Sequence, residues 1–373
     1  MMRFLSRGVE VAYRYALKPL LFLRDPEAVH DAFTRVGVLL ASSSIAQRTI
    51  RSIFRYDDDI LATNVAGIRF QNPIGLAAGF DKNARLTNIL PDVGFGFAEL
   101  GSITGKPCEG NSGTRLWRLP KSKGLVVYYG LKNDGADSIA GRMRRAAFRL
   151  PIGISAAKTN SKETIDADAA IDDYAHVVES FRGIGDYYTI NISCPNAFGG
   201  EPFTDPTRLD ALLTRIDALA DKPVFLKLAV DLSHAELDAI IAVCNTHRIA
   251  GFVCSNLTKR RQNAKIVEQT VPEKGGISGM PVQSLSDAQV AYVYRATRGA
   301  YAIIGVGGVF TGKDAYRKIR LGASLIQLIT GMIYRGPQTI GQINAELAAL
   351  LRRDGFKNVA DVVGVDNHAK DSR

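Results

Sequence analysis

Cys194 sits in the run Asn191-Ile192-Ser193-Cys194-Pro195-Asn196, flanked by two asparagine side chains. A thiol can exchange a proton near neutrality, because its ordinary pKa of about 8.5 lies far below that of a hydroxyl. A lone cysteine is more often a small buried hydrophobe, and Cys108, Cys244 and Cys254 keep that reading. Asn191 and Asn196 argue for chemistry at Cys194. Pro195 with Gly199 and Gly200 suits a stiff loop start followed by a mobile lid. Lys227 lies in the middle of the apolar run Phe225-Leu226-Lys227-Leu228, where a buried ammonium is costly unless an anion meets it. A structural carboxylate would serve. So would a flavin ring, whose N1–C2=O edge gains negative charge on reduction. Lys82, next to Asp81, suits a flavin, a substrate carboxylate or simple solvation.

The elements that must carry these residues repeat. Apolar, β-branched runs at 70–79, 97–104, 152–158, 187–193, 223–229, 251–256, 302–308 and 324–330 read as buried parallel strands. Helical stretches at 164–182, 207–220, 234–247, 283–297, 312–321 and 337–353 lie between or after them. Eight strand–helix units predict an α/β fold, a (β/α)8 barrel. A doubly wound sheet is the runner-up, but no GxGxxG follows the first strand. A barrel puts its site at the carboxyl ends of the strands, where Lys82, Ser102, Asn191, Cys194, Lys227 and Asn256 fall. Gly305, Gly307 and Gly308 after the seventh strand, and Thr330–Gly331 after the eighth, suit a phosphate cradle of backbone N–H groups. Tight turns are the plainer reading of those glycines. The interval 105–130 holds strand-like LWRL and GLVVYY and predicts a small β excursion at the barrel mouth.

The chain has 373 residues, 46% hydrophobic and 23% charged, which excludes disorder, collagen and coiled coil as the main architecture. The net charge of +10 suits anionic partners or a mildly basic surface, and no block of like charges forms a basic arm. No CxxC pair and no histidine spacing suggests a metal site, and the cysteine count suits a reducing compartment. Residues 4–23 are broken by Arg7, Glu10, Arg14 and Lys18, so they are too polar to span a membrane. They suit an amphipathic helix with Phe4, Leu5, Val9, Ala12, Ala16, Leu20 and Phe22 on one face. A second helix, 26–40, is expected with Asp25 as N-cap and Pro26 in its first turn. These faces suit either a bilayer surface or the protein's own core. The expected partition is a helical extension over 1–45, a barrel over 60–356 and a polar, frayed tail over 357–373.

In combination, NPIGLAAGFDKNA, GFGFAELGSITGKPCEGN with RLWRLP, TINISCPN, VFLKLAVDLS, CSNLT, GGISG and IIGVGG with GASLIQLITG closely resemble dihydroorotate dehydrogenase, over about residues 12 to 355. DPEAVH (25–30) and the helical leader resemble the quinone-dependent, membrane-associated class 2 branch. The resemblance implies an enzyme that uses flavin mononucleotide (FMN) to oxidise (S)-dihydroorotate to orotate in pyrimidine biosynthesis, with quinone reoxidising the flavin. It implies FMN contacts at Ala78, Gly79, Ser102, Asn191, Lys227, Ser255, Gly279, Gly308, Thr330 and Gly331. Implied substrate contacts are Lys82, Asn191, Asn196 and Asn256. Cys194 matches the catalytic base, which takes the C5 proton as hydride leaves C6 for flavin N5. His30 and Arg118 match residues lining the quinone tunnel.

The chain departs from the class 2 pattern at several positions. Cys194 stands where class 2 carries serine, Ala197 where a threonine follows, and Val127 where a substrate-binding asparagine is usual. Ser155 replaces an FMN-contacting asparagine and Ile329 a tyrosine near the quinone. The chain thus looks like a class 2 body with a class 1 base. Other readings are an FMN oxidoreductase acting on another dihydropyrimidine or with a soluble acceptor, a non-catalytic flavin-binding barrel, and a dihydrouridine synthase acting on tRNA. The chain leaves no room after the barrel for an RNA-binding domain, so no nucleic acid partner is expected. The expected partners are membrane quinone and an anionic membrane surface. The expected location is the cytoplasmic face of a bacterial inner membrane, or the mitochondrial inner membrane in a eukaryote.

Overall fold

In chain order the strands are β1 (Thr63–Val65), β2 (Ile68–Phe70), β3 (Ile74–Leu76), β4 (Phe97–Ile103), β5 (Leu116–Leu119), β6 (Gly124–Val127), β7 (Ile152–Ala156), β8 (Tyr187–Asn191), β9 (Val224–Leu228), β10 (Ile249–Cys254), β11 (Gly276–Gly279), β12 (Ala302–Val306) and β13 (Leu325–Leu328). They are seen in a computed structural model that describes residues 2–194 and 198–368. Among the described residues, β3, β4, β7, β8, β9, β10, β12 and β13 close a parallel barrel. The barrel is sealed where β13 pairs with β3, Ile326 opposite Ile74. Each expected apolar run supplies one barrel strand. The run at 70–79 starts earlier, in β2 of an antiparallel hairpin with β1. The expected β excursion is present, with a third strand the sequence reading lacked: β6 pairs with both β5 and β11.

The closed barrel is possible because small residues face large ones inside it. Phe70, Phe97, Tyr187, Phe225, Val253, Ile304 and Leu325 fill its lower interior. A Cβ on Gly75 would come within 2.3 Å of the Phe97 ring, and one on Gly153 within 2.1 Å of the Tyr187 ring. The strand glycines therefore make room for aromatic rings from the next strand. Outside, Ala167–Ser180, Pro206–Leu219, His234–Cys244, Gln283–Ala296, Gly312–Arg320 and Thr339–Arg353 match the expected helices. Their starts are set chemically. Ser233 and Glu236 form a capping box at one helix, and Thr311 and Asp314 form another.

The leader is longer than the two helices expected. Met2–Ala12, a π-turn segment Tyr13–Leu17 and Lys18–Phe22 run on continuously, followed by Pro26–Ala41 and an additional helix, Ser44–Phe54. Asp25 caps the second helix as expected, its Oδ1 accepting the Ala28 amide at 2.8 Å. One side of the leader packs on the barrel. Tyr13 is buried and donates to the Ile333 carbonyl at 2.6 Å, and Arg335 pairs with Glu10 at 3.1 Å. The other side leaves Leu17, Leu20, Leu23 and Leu39 exposed. No helix of the described residues is long and apolar enough to cross a membrane. The frayed tail expected from 357 is corrected through residue 367. Val359 and Val362 are buried, and Asn367 Nδ2 donates to the Leu321 carbonyl at 2.7 Å.

Candidate active site

At the carboxyl ends of the strands lies a cavity with about 1340 Å³ of empty space including its open mouth. It opens to solvent between the mouth sheet and the leader. Its floor comes from barrel strand ends, one wall from Leu116, Leu125 and Val127 of the mouth sheet, and another from His30 of the leader.

The polar side chains on the floor bond to one another in an arc. Ser102 Oγ lies 2.8 Å from Ser155 Oγ and accepts from Asn191 Nδ2 at 2.8 Å. Asn191 Oδ1 accepts from the Ser193 amide at 3.1 Å and its hydroxyl at 2.8 Å. Asn256 Nδ2 donates to the Ser193 carbonyl and hydroxyl, both at 2.9 Å, while its Oδ1 accepts the Leu257 amide at 2.8 Å. From the helix outside, Tyr174 donates to the Asn191 carbonyl at 2.8 Å. These partners fix which way each amide points, so the floor presents a set pattern of donors and acceptors.

The charged groups are placed with equal care. Lys227 is buried, and its Nζ stands 4.0 Å from Oε1 of the fully buried Glu99. Glu99 Oε2 accepts from Thr189 at 3.0 Å and Gln327 at 2.9 Å, while Oε1 has no hydrogen-bond donor among the described residues. Burial pulls the Lys227 pKa below its ordinary 10.5, and Glu99 raises it part of the way back. Lys82 Nζ lies 4.0 Å over the Tyr129 ring, and burial brings its pKa down to about 8, against the nearby charges of Asp31 and Glu27. His30 Nε2 lies 2.8 Å from the Phe80 carbonyl, so that nitrogen carries the hydrogen. Burial, then the Lys82 charge, lower its pKa below 6.5 and keep the ring neutral.

The structure brings together Ala78, Gly79, Lys82, Ser102, Asn191, Cys194, Lys227, Ser255, Asn256, Gly279, Gly308, Thr330, Gly331 and His30 around this one cavity. Arg118 lies beside it. Its guanidinium stacks 4.6 Å from the Phe22 ring and donates to the Arg24 carbonyl at 2.7 Å, which ties the leader to β5. Pro195, Asn196 and Ala197 lie outside the described residues; Gly199 and Gly200, where the lid was expected to continue, are described and both adopt a positive φ. Val127 and Ile329 add apolar surface to the lining. Cys244 and Cys254 are buried, and burial pushes both thiols up to about 12, as suits inert core residues. Sequence reasoning missed Glu99 and Lys158. For Glu99 the available signal was a charged residue inside an apolar run, the same signal that singled out Lys227; Lys158, at the end of its run, offered none.

A closed parallel barrel with its cavity at the strand carboxyl ends defines a (β/α)8-barrel enzyme. The family model described as dihydroorotate dehydrogenase matches residues 60–351. A dihydroorotate dehydrogenase (quinone) of Gloeobacter violaceus is 39% identical over 94% of this chain and 98% of its own length. One of Haloarcula marismortui is 36% identical over 94% of this chain and 98% of its own length. The ligand-free DHODH of Eimeria tenella superposes with a TM-score of 0.83 at 30% identity, covering 92% of this chain and 99% of that one. The chain belongs to the dihydroorotate dehydrogenase family, among its class 2 members. Enzymes of this family use FMN as cofactor.

Proposed function

We propose that this chain oxidises (S)-dihydroorotate to orotate for pyrimidine synthesis and passes the electrons through FMN to a membrane quinone. The observation that carries the reading is one cavity in which a rigid amide arc, two lysines and Cys194 converge. The residues fit FMN. A Cβ on Gly331 would stand 2.1 Å from the Val309 carbonyl, and one on Gly308, at φ +69°, 2.3 Å from Gln283 Cβ. Only glycine keeps the backbone so close there, as a phosphate cradle needs. Lys227 is a buried cation beside the space a flavin would fill. Thr330 and Ser278 hydroxyls, 2.9 Å apart, add polar groups next to Gly279. FMN, when bound, supplies the hydride acceptor. Ala78, Gly79, Ser102, Asn191, Lys227, Ser255, Gly279, Gly308, Thr330 and Gly331 would hold it.

The chain's own part is orientation and proton handling. Lys82 holds the substrate carboxylate, and Asn191, Asn196 and Asn256 hold the pyrimidine amides. Cys194 takes the C5 proton. The C5–H electron pair becomes the C5=C6 bond as hydride leaves C6, so substrate loses two hydrogens and two electrons. Asn256 and Asn191 are pre-oriented by Ser193, which removes part of the ordering cost. His30, Arg118 and the apolar wall of Val127 and Ile329 suit a quinone approaching from the leader side. The exposed leucines, with Arg7, Arg14 and Lys18 nearby in sequence, support a leader that lies on an anionic bilayer, read here as the cytoplasmic face of a bacterial inner membrane.

The test is anaerobic stopped-flow absorbance of the FMN-loaded protein mixed with dihydroorotate, then with a quinone. Bleaching of the oxidised-flavin band, followed by quinone-driven recovery, is expected. A bound flavin that dihydroorotate leaves oxidised refutes the substrate.

A further inference from the structure

Cys194 also borders a second, much smaller pocket, with about 240 Å³ of empty space including its opening, shared with Lys158, Tyr174, Asn191, Pro202 and Phe203. Lys158 follows β7 and is 4% exposed. Its Nζ donates to the Thr164 carbonyl at 3.2 Å and to the Phe198 carbonyl, four residues beyond Cys194. Asn160 holds the same place from the other side, its Oδ1 accepting the Phe198 amide at 2.8 Å. Among the described residues, Lys158 forms no ion pair with a carboxylate. The acid closest by in the fold, Asp173, is already engaged by the Thr159 amide and hydroxyl. A buried ammonium that meets only carbonyls is expensive, and such groups cluster where their charge is used.

The groups that face Cys194 narrow the use. Lys227, on β9, has Glu99 as its counter-charge. Tyr174, on the helix Ala167–Ser180, stays neutral, because burial drives its pKa far above 10. Asn191, on β8, is held by Ser102 and Ser193. That leaves Lys158. Burial lowers its pKa, and a negative charge on Cys194 is the strongest influence raising it again, ahead of Asp173.

We propose that Lys158 is a positioning residue for Cys194: buried in the pocket the two share, it fastens the chain at Phe198 and supplies the positive charge that lets the sulfur stand as a thiolate. The inference rests on Cys194 being the base. In the reaction the thiolate becomes a thiol as it takes the C5 proton and later loses that proton to solvent. Lys158 stays protonated and transfers nothing.

The test is the rate of iodoacetamide alkylation at Cys194 in the FMN-loaded enzyme, without substrate, across a pH series, with the adduct located by peptide mass spectrometry. In the unmodified enzyme the midpoint is expected below the ordinary thiol value of about 8.5. Lys158→Gln, which removes the charge and keeps an N–H donor, is expected to raise the midpoint by about one pH unit or more, a tenfold change in the ionisation constant. The acid limb of flavin reduction should move with it. Lys158→Arg should restore both. Equal midpoints in the unmodified and Lys158→Gln proteins overturn the proposal. If Lys158→Gln does not fold, a midpoint at or above the ordinary thiol value in the unmodified enzyme overturns it alone. Failure of the underlying reading looks different: Cys194→Ala would then reduce its flavin at nearly the normal rate. If Cys194 is the base, that variant loses about 10²–10⁴-fold.

Discussion

Replacing Glu99 with glutamine removes a charge from the middle of the barrel while leaving an oxygen for Thr189 and Gln327 to bond. The lost term is the attraction to Lys227 Nζ at 4.0 Å. At that separation an effective dielectric near 20 gives about 4 kcal/mol. Breaking one partner out of a buried pair costs about 3–5 kcal/mol, which agrees. Removing both partners should cost far less, because no uncompensated charge stays behind. Equilibrium urea unfolding of Glu99→Gln, Lys227→Gln and the double variant, with FMN removed so that its charge does not enter, measures each term. The double variant is expected to be more stable than Glu99→Gln alone.

The same experiment has a pH signature. Without Glu99, the folded-state pKa of Lys227 falls further below 10.5. Between that lowered value and 10.5 the unfolded chain binds the extra proton, so the stability of Glu99→Gln climbs with pH through this window. The deficit is therefore full below the variant's lowered Lys227 pKa and shrinks as pH rises from there toward the pKa that Glu99 maintains in the unmodified protein. A loss under about 1 kcal/mol, or a double variant no more stable than Glu99→Gln, would refute the reasoning that this pair is a compensated buried charge.

Two further outcomes are expected. Lys82, with its pKa down at about 8, loses its positive charge above that pH, so KM for dihydroorotate should rise on the alkaline side. Lys82→Arg, charged throughout, should flatten that rise, and an equally flat KM in the unmodified enzyme would contradict carboxylate binding by Lys82. On the leader, Leu20 and Leu23 are 64% and 83% exposed. Changing both to serine should remove about 3–6 kcal/mol of lipid contact, reduce flotation with anionic liposomes and leave flavin reduction intact. Unchanged flotation would mean that this face is not the membrane seat.

The barrel was legible because buried parallel strands are apolar on both faces, so each stands out as a continuous run. The glycines after β12 and β13 were legible for the same local reason. What escaped is what depends on distant partners. Glu99 stands out as a charge inside a buried run, but only closure of the barrel shows that its partner is Lys227. Lys158 follows a strand and reads as a solvated loop lysine, yet Tyr174 and Phe203 enclose it. β11 reads as a glycine-rich turn, and its pairing with β6 depends on an interval of the chain far away. Ser44–Phe54 carried a readable signal that was missed: Ile50, Ile53 and Phe54 gather on one face of the helix, with Arg48 and Arg51 on the opposite one. The tail misled through its polar composition: two buried valines and one asparagine suffice to dock it.

The seam between β13 and β3 has a consequence for how the chain is made. Ile74 leaves the ribosome about 250 residues before its partner Ile326. Until then β3 and β12 each have an unpaired edge, the kind of edge that recruits other chains. The leader waits as well, since its anchors Ile333 and Arg335 are synthesised later still. Cofactor loading and settling of the leader therefore wait for β13 and the residues after it, and a chain stopped short of β13 has no closed wall. Such a seam makes this a slow, late-committing fold, for which help from chaperones matters most while the first strands stand open.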